Sequence, residues 1–311
     1  MLFAMLFPGQ GVQHINMLSS FLKKEKIFQN TFEEASEYIG CNLLKLTQEG
    51  PLKKINNSKY AQPIILSSSI AIYKFWKKYN GKNPSFMSGH SLGEYSALVC
   101  SNALKFSDAL KIVTFRGQYM QQITFNRLCS VKAIIGLNKN IIQKICQKYL
   151  YKTVSIASIN SNNQIIISGD QKDVHEASLD CKKNGAQYIF DINLNIPVHS
   201  NLMKPVAKKI EYILKNIKIK TPQIPVINNV NVKCEKNSKN IKKALIKQIY
   251  TTVRWKEIID FIQSKKVFTM LEIGPNNTLT NLNKNNINLT SLHTSNQKFF
   301  LQALKIINKK Q

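Results

Sequence analysis

Acidic side chains are scarce in this chain: 17 aspartates and glutamates stand against 44 lysines and arginines, for a formal net charge of +27. Such an imbalance invites a nucleic-acid reading. The distribution argues against it, because the lysines are spread singly and in pairs along the whole chain, neither gathered into one arm nor interleaved with aromatics. Long apolar runs are also lacking. No stretch approaches the ~18 consecutive apolar residues of a membrane helix, so no membrane partner is expected. The opening MLFAMLF has the apolar core of a signal peptide but no basic leader, and PGQG follows where a small-residue cleavage site would stand; it reads as a buried first strand. The six cysteines (41, 100, 129, 146, 181 and 234) form no C-x-x-C pair and no metal-like cluster, which points to reduced thiols in a cytoplasmic protein without a metal site. Internal repeats and low-complexity linkers are missing too.

What is present is a 311-residue chain with 43% apolar residues, enough for one large core or a domain carrying an insert. The segment AQPIILSSSIAIYKFWKKYNG carries Ile65, Ser69, Ile72, Trp76 and Tyr79 at helical spacing and ends at Asn80-Gly81. Ser107 has the character of an N-cap for a helix through Leu110, Val113 and Met120. Between them PSFMSG reads as a short strand. The middle of the chain follows a different pattern. A strand at AIIGL, a helix over 140–150, strands at VSIASIN and QIIISG, a helix over 173–184 and a strand at AQYIFDIN give a βαββαβ order, the ferredoxin-like unit. A larger α/β pattern then resumes, with a helix near 201–217, a strand at PVINNV, a helix around 238–250 and a strand at VFTMLEIG. The fold class is therefore α/β, a parallel-sheet domain built from 1–127 and 198–311 with a small insert at 128–197.

The chemistry centres on GHSLGEYSALVC, residues 89–100. Gly89-His90-Ser91-Leu92-Gly93 fits the nucleophile elbow, in which a serine sits on a strained strand-to-helix turn that only glycine tolerates two places either side. A serine hydroxyl needs a base within hydrogen-bond reach, and only five histidines can serve. His90 adjoins Ser91 and points away from it in a sharp turn. His14 follows the first loop, His175 falls on the wet face of an insert helix, and His293 lies in a polar stretch near the carboxyl end. His199 follows Pro197 and precedes a Ser200 N-cap where the large domain resumes, which makes it the candidate base. The residue after the nucleophile, Leu92, offers one backbone N–H to an oxyanion, and the FPGQG loop after the first strand offers a second at Gln10. Arg116, in FRGQYMQQ, sits on an apolar helix face with no acid three or four positions away, as suits a guanidinium that binds a substrate carboxylate; a cross-domain ion pair is the other possibility.

Taken together, FPGQGVQ, GHSLGEYSALVC, FRGQYMQ, VHSNLMKPVA, PVINNVNVK and EIGPNNTLT, in this order and spacing, resemble the malonyl-CoA:acyl carrier protein transacylase family from Met1 to about residue 295. The resemblance implies an α/β-hydrolase-like core with a ferredoxin-like insert. It implies an acyltransferase that moves malonyl groups from malonyl-CoA to the thiol of acyl carrier protein through Ser91, with malonyl-CoA as substrate and no cofactor, acting as a monomer. It further implies that His199 is the base, Gln10 and Leu92 the oxyanion donors and Arg116 the carboxylate ligand. Gln248, in IKQIY, matches the position whose carbonyl orients the histidine, and Asn160 matches a residue at the mouth of the cleft. Two segments depart from the family pattern: NRLCSVKAIIG lacks its glycines and its Met-Ala pair, with Lys132 in a normally small position, and YTTVRW replaces its Asn-Pro turn. A serine hydrolase with the same elbow is the alternative function; it would recruit His293 with Asp260 or Glu272 and leave Arg116 without a task.

Overall fold

The computed structural model describes residues 1–22, 25–149, 153–284 and 286–309. Its larger sheet follows from the apolar opening. FAMLF forms β1 (Phe3–Phe7), buried at every position, as a strand covered on both faces must be. It lies at the centre of a parallel sheet. On one side are β2 (Phe86–Gly89) and β7 (Val226–Ile227); on the other are β8 (Thr269–Glu272) and β9 (Thr290–His293), in the order β7-β2-β1-β8-β9. Helices pack on both faces. The long Ser58–Lys78 helix brings Phe75 and Trp76 against Phe21 and Phe300, an aromatic cluster beneath β1. Parallel strands of an open sheet present their carboxyl ends to one crevice. Gln10, Ser91 and Asn229 follow directly on β1, β2 and β7 at that edge.

The second sheet takes all its strands from the insert: β3 (Cys129–Ile135), β4 (Ser155–Ile159), β5 (Gln164–Asp170) and β6 (Tyr188–Asp191), antiparallel in the order β4-β5-β3-β6, with helices Lys139–Lys148 and Gln171–Lys183 on one face. This is the ferredoxin-like arrangement; the expected helix end at residue 150 lies outside the described residues. The other face turns Val131, Ala133, Ala157 and Ile166 toward the larger domain. The unusual YTTVRW segment fastens the two units. Val253 exchanges backbone hydrogen bonds with Ala157 and Ile159 at 2.9 Å each, and the Thr252 hydroxyl donates to the Ile156 carbonyl at 2.7 Å. Lys132 points away from the crevice, because it alternates with Val131 and Ala133, and pairs across β3 and β6 with Asp191 at 2.6 Å.

Several local expectations are corrected. Ser107 is not a cap; its helix starts one residue earlier, at Phe106, with Lys105 in the extended N-cap position and no side-chain cap bond. The long helix runs from an Asn57 cap to Lys78, so Tyr79 lies outside it. Ser200 precedes a short 3₁₀ turn, and its hydroxyl donates backwards to the Pro197 carbonyl at 2.6 Å instead of capping forward. The polar stretch around His293 includes an unexpected short strand, and His293 ends it. Among the described residues no helix is long and apolar enough to cross a membrane.

The elbow leaves no room for a side chain at either of its glycines. A Cβ on Gly93 would stand 2.0 Å from the Phe7 carbonyl oxygen, and one on Gly89 1.9 Å from the Gly93 carbonyl carbon. Backbone cannot yield there as a flexible side chain would. Gly93→Ala should therefore destabilise the protein by about 1–3 kcal/mol or more, as overpacking does, with a lowered midpoint of thermal unfolding. An unchanged midpoint would show that the elbow has slack.

Candidate active site

Crowding at Gly89 and Gly93 forces the chain through a sharp corner, and Ser91 at its apex takes a left-handed backbone with φ 51°. A non-glycine residue there is strained and persists only where the surroundings impose it. Asn229 does the imposing. Its Oδ1 accepts from the Ser91 N–H at 2.7 Å and its Nδ2 donates to the Gly89 carbonyl at 2.8 Å, bridging the two sides of the turn. Sequence reasoning misses this residue, because PVINNV reads as a plain strand. The available signal is a pair of asparagines directly after a two-residue apolar strand.

His199 also has a left-handed backbone, φ 56°, and is 4% exposed. The loop that carries it is tied to the insert by the Ser168 hydroxyl, which donates to the Val198 carbonyl. Its Nδ1 lies 2.7 Å from the Gln248 carbonyl oxygen and its Nε2 2.8 Å from Ser91 Oγ. A carbonyl can only accept, so Nδ1 carries the proton and Nε2 offers its lone pair to the serine hydroxyl. Burial, reinforced by the nearby Arg116 charge, pushes the His199 pKa down to about 3, against the opposing pull of the Gln248 carbonyl. The imidazole is thus neutral and ready to take a proton.

Arg116 lies on the inner face of the Phe106–Gln122 helix and is 2% exposed. Its Nη2 donates to Ser91 Oγ at 2.9 Å and its Nη1 to Gln62 Oε1 at 2.8 Å. Among the described residues no carboxylate lies within ion-pair distance of it, so the cross-domain ion pair is not formed. Gln62 is fully buried, and its amide nitrogen reaches Gln10 Oε1 at 3.5 Å. The Gln10 side chain itself bonds Ser58 at 2.8 Å and so turns away from the crevice. Gln62 is a second residue that the sequence did not disclose, sitting one turn inside a helix that also carries the polar Ser67, Ser68 and Ser69.

A cleft of about 270 Å³ opens between the two units over this group. Gln10, Ser91, Arg116, Met120 and His199 line one side, and Val131, Ala157, Ile166 and Asn160 of the insert the other. The Pro8–Gly11 loop lies directly on the elbow, since a Cβ on Gly9 would stand 2.6 Å from the His90 carbonyl oxygen. Among the described residues neither the Gln10 N–H nor the Leu92 N–H has an acceptor within the chain, as two oxyanion donors require. Asn160 is held at the cleft mouth by His90 Nε2 at 3.1 Å and Ser158 Oγ at 2.6 Å. The other histidines stand apart. His14 and His175 are exposed. His293, three strands from β2 and so roughly 14 Å away at the usual strand spacing, bonds Ser295 at 2.9 Å and packs on Phe299. Glu272 is taken by Thr280 and Asp260 by Lys256, so the hydrolase alternative finds no triad.

The sequence matches the family model described as "Acyl transferase domain" over residues 4–295, a span that includes Gln10, Ser91, Arg116, Asn160, His199 and Gln248. A malonyl CoA-acyl carrier protein transacylase of Buchnera aphidicola (subsp. Schizaphis graminum) is 63% identical over 307 residues, covering 98% of this chain and 99% of that protein. The chain belongs to the malonyl CoA-acyl carrier protein transacylase family. Among solved structures, the family member from Coxiella burnetii has a TM-score of 0.96 at 36% identity, covering 99% of this chain and 98% of the other. A malonyl-transacylase solved in complex with its type II PKS acyl-carrier protein also gives 0.96, at 38% identity and with 98% and 100% coverage. Family membership accounts for the domain plan as well as the elbow, since these matches run through both sheets.

The tautomer assigned to His199 is open to a direct test. A histidine has an unfolded pKa of ~6.5, and the folded value is about 3. His199 therefore contributes stability that is fully present above pH 6.5 and is lost as the pH falls toward 3. Nitrogen-detected NMR of the imidazole should show a protonated Nδ1 and an unprotonated Nε2 from pH 8 down to pH 5. A ring doubly protonated by pH 6 would contradict the assignment.

Proposed function

We propose that this chain transfers malonyl groups from malonyl-CoA to the phosphopantetheine thiol of acyl carrier protein through a malonyl ester on Ser91. The observation that carries the reading is a single oxygen, Ser91 Oγ, held at once by the His199 base at 2.8 Å and the Arg116 guanidinium at 2.9 Å. A hydrolase needs the first contact and has no use for the second.

In this reading His199 Nε2 takes the Ser91 proton as Oγ attacks the thioester carbonyl. The carbonyl oxygen gains negative charge where the Leu92 and Gln10 N–H groups converge. Collapse of the tetrahedral species breaks the C–S bond, and the departing sulfur receives the proton from His199. The carrier thiol then reverses the sequence: it yields its proton to His199, attacks the serine ester and restores the Ser91 hydroxyl. Each step draws its base, its oxyanion donors and its carboxylate ligand from the chain, so the reaction needs no cofactor. The malonyl carboxylate would engage Arg116, whose planar fork suits a two-point pair and whose position is set by Gln62. Asn160 at the mouth offers a polar contact to the pantetheine arm. The net charge of +27 would speed encounter with an acidic carrier without any groove for nucleic acid. The protein acts as a cytoplasmic monomer, with its thiols reduced.

Arg116→Ala separates this reading from its rivals. A charged hydrogen bond contributes ~1.5–3 kcal/mol, so transfer of malonyl to the carrier should fall at least roughly tenfold. Transfer of acetyl, which presents no free carboxylate, should be kept or increased. Equal losses for the two acyl groups in steady-state assays would assign Arg116 a purely structural role.

A further inference from the structure

Glu94 stands in the first turn of the helix behind the nucleophile, 2% exposed, and no step above uses it. Its Oε2 accepts from the Asn229 N–H at 3.0 Å and from Gln248 Nε2 at 2.8 Å. Each of these donors holds one half of the Ser91–His199 pair. Asn229 clamps the elbow through the Ser91 N–H and the Gly89 carbonyl. Gln248 presents its backbone carbonyl to His199 Nδ1, and its side-chain amide donates in addition to the Ser91 carbonyl at 2.9 Å. One carboxylate oxygen thus joins the holder of the nucleophile, which follows β7, to the holder of the base, at the end of the Ser238–Gln248 helix. These parts are 135 and 154 residues from Glu94 in sequence.

We propose that Glu94 is a positioning residue for acyl transfer, fixing the Ser91 elbow and the His199 acceptor in one frame through a charged carboxylate shared by Asn229 and Gln248. The assignment rests on the Ser91–His199 reading given above. Charge matters because hydrogen bonds to an ionised acceptor are about twice as strong as neutral ones. Among the described residues Glu94 has no lysine or arginine at ion-pair distance. The charged and titratable groups facing it are Arg116 from the Phe106–Gln122 helix and Tyr95 beside it in its own helix. Burial pushes its pKa up to about 7, while the Gln248 and Asn229 donors and the Arg116 charge pull it down. The frame is therefore tightest above pH 7 and slackens as the carboxylate takes up a proton below it.

The test is the rate of Ser91 acylation at saturating malonyl-CoA, read by rapid-quench mass spectrometry across pH 6–8.5 for wild type, Glu94→Gln and Glu94→Ala. Glutamine keeps the shape and one acceptor oxygen for the two donors that Oε2 now serves, while it removes the charge and puts an amide NH2 in place of the other oxygen. At pH 8 Glu94→Gln should acylate about tenfold more slowly, since small misplacements of reacting groups are costly, with little change in KM. The gap should close toward pH 6, where wild type loses its own charge. Glu94→Ala, which orphans both donors, should be slower still at every pH. A Glu94→Gln rate equal to wild type at all pH values would overturn the proposal. Should either variant fail to fold, the wild-type profile decides: His199 is neutral throughout this range, so a fall in rate below pH 7 supports the proposal and a flat profile contradicts it. Absence of any label on wild-type Ser91 would instead refute the functional reading on which the proposal rests.

Discussion

The hydrogen bond from Ser91 Oγ to His199 Nε2 joins residues 108 apart in the chain, and much of the architecture serves to hold its two ends. Both ends are strained, with positive φ at each residue. Neither strain could persist on a loose loop. The elbow is enforced by glycines that admit no Cβ and by the Asn229 clamp; the histidine loop is enforced by the Gln248 carbonyl and by the Ser168 bond from the insert. Strain at the site is thus sustained by packing elsewhere in the sheet and its crossovers.

A neutral imidazole and a buried cation meet at one oxygen, Ser91 Oγ. Arg116 and the low dielectric both oppose a charge on His199, which keeps Nε2 available in the resting enzyme. Under the proposed mechanism the same low dielectric would strengthen whatever stabilises the ion pair formed during transfer. In place of an aspartate, the histidine leans on a backbone carbonyl, which orients the ring without adding a second buried charge at contact distance. The acid of the site, Glu94, sits one residue further out, bonded to the side chain of the same glutamine.

The parts of this arrangement that depend on near neighbours are legible in the sequence. The glycine spacing around Ser91, the apolar run of β1 and the order of strands and helices in the insert each express a local rule, and the elbow, the central strand and the ferredoxin-like sheet follow them. Ser91, His199 and Arg116 stand out by residue chemistry, and the family motifs add Gln248 and Asn160. Residues whose role exists only through long-range contact are not legible. Asn229 looks like one more strand residue until β7 brings it under the elbow, and Gln62 looks like one of several polar residues of its helix until Arg116 reaches it. Caps fail for a related reason. Ser107 has the right chemistry, but the helix starts where the preceding loop turns extended at Lys105, a matter of tertiary packing. The half-buried, polar β9 carries too little alternation to be seen, and its place at the sheet edge puts His293 far from Ser91.

The account stands on covalent chemistry at one oxygen, and intact-protein mass spectrometry after a brief exposure to malonyl-CoA tests it most directly. Wild type should gain one malonyl group, mapped by peptide digestion to Ser91, which persists in buffer and is discharged when carrier thiol is added. Ser91→Ala should fold normally and gain nothing. Labelling that survives in Ser91→Ala, or a wild-type label lost to water as quickly as to the thiol, would contradict the account.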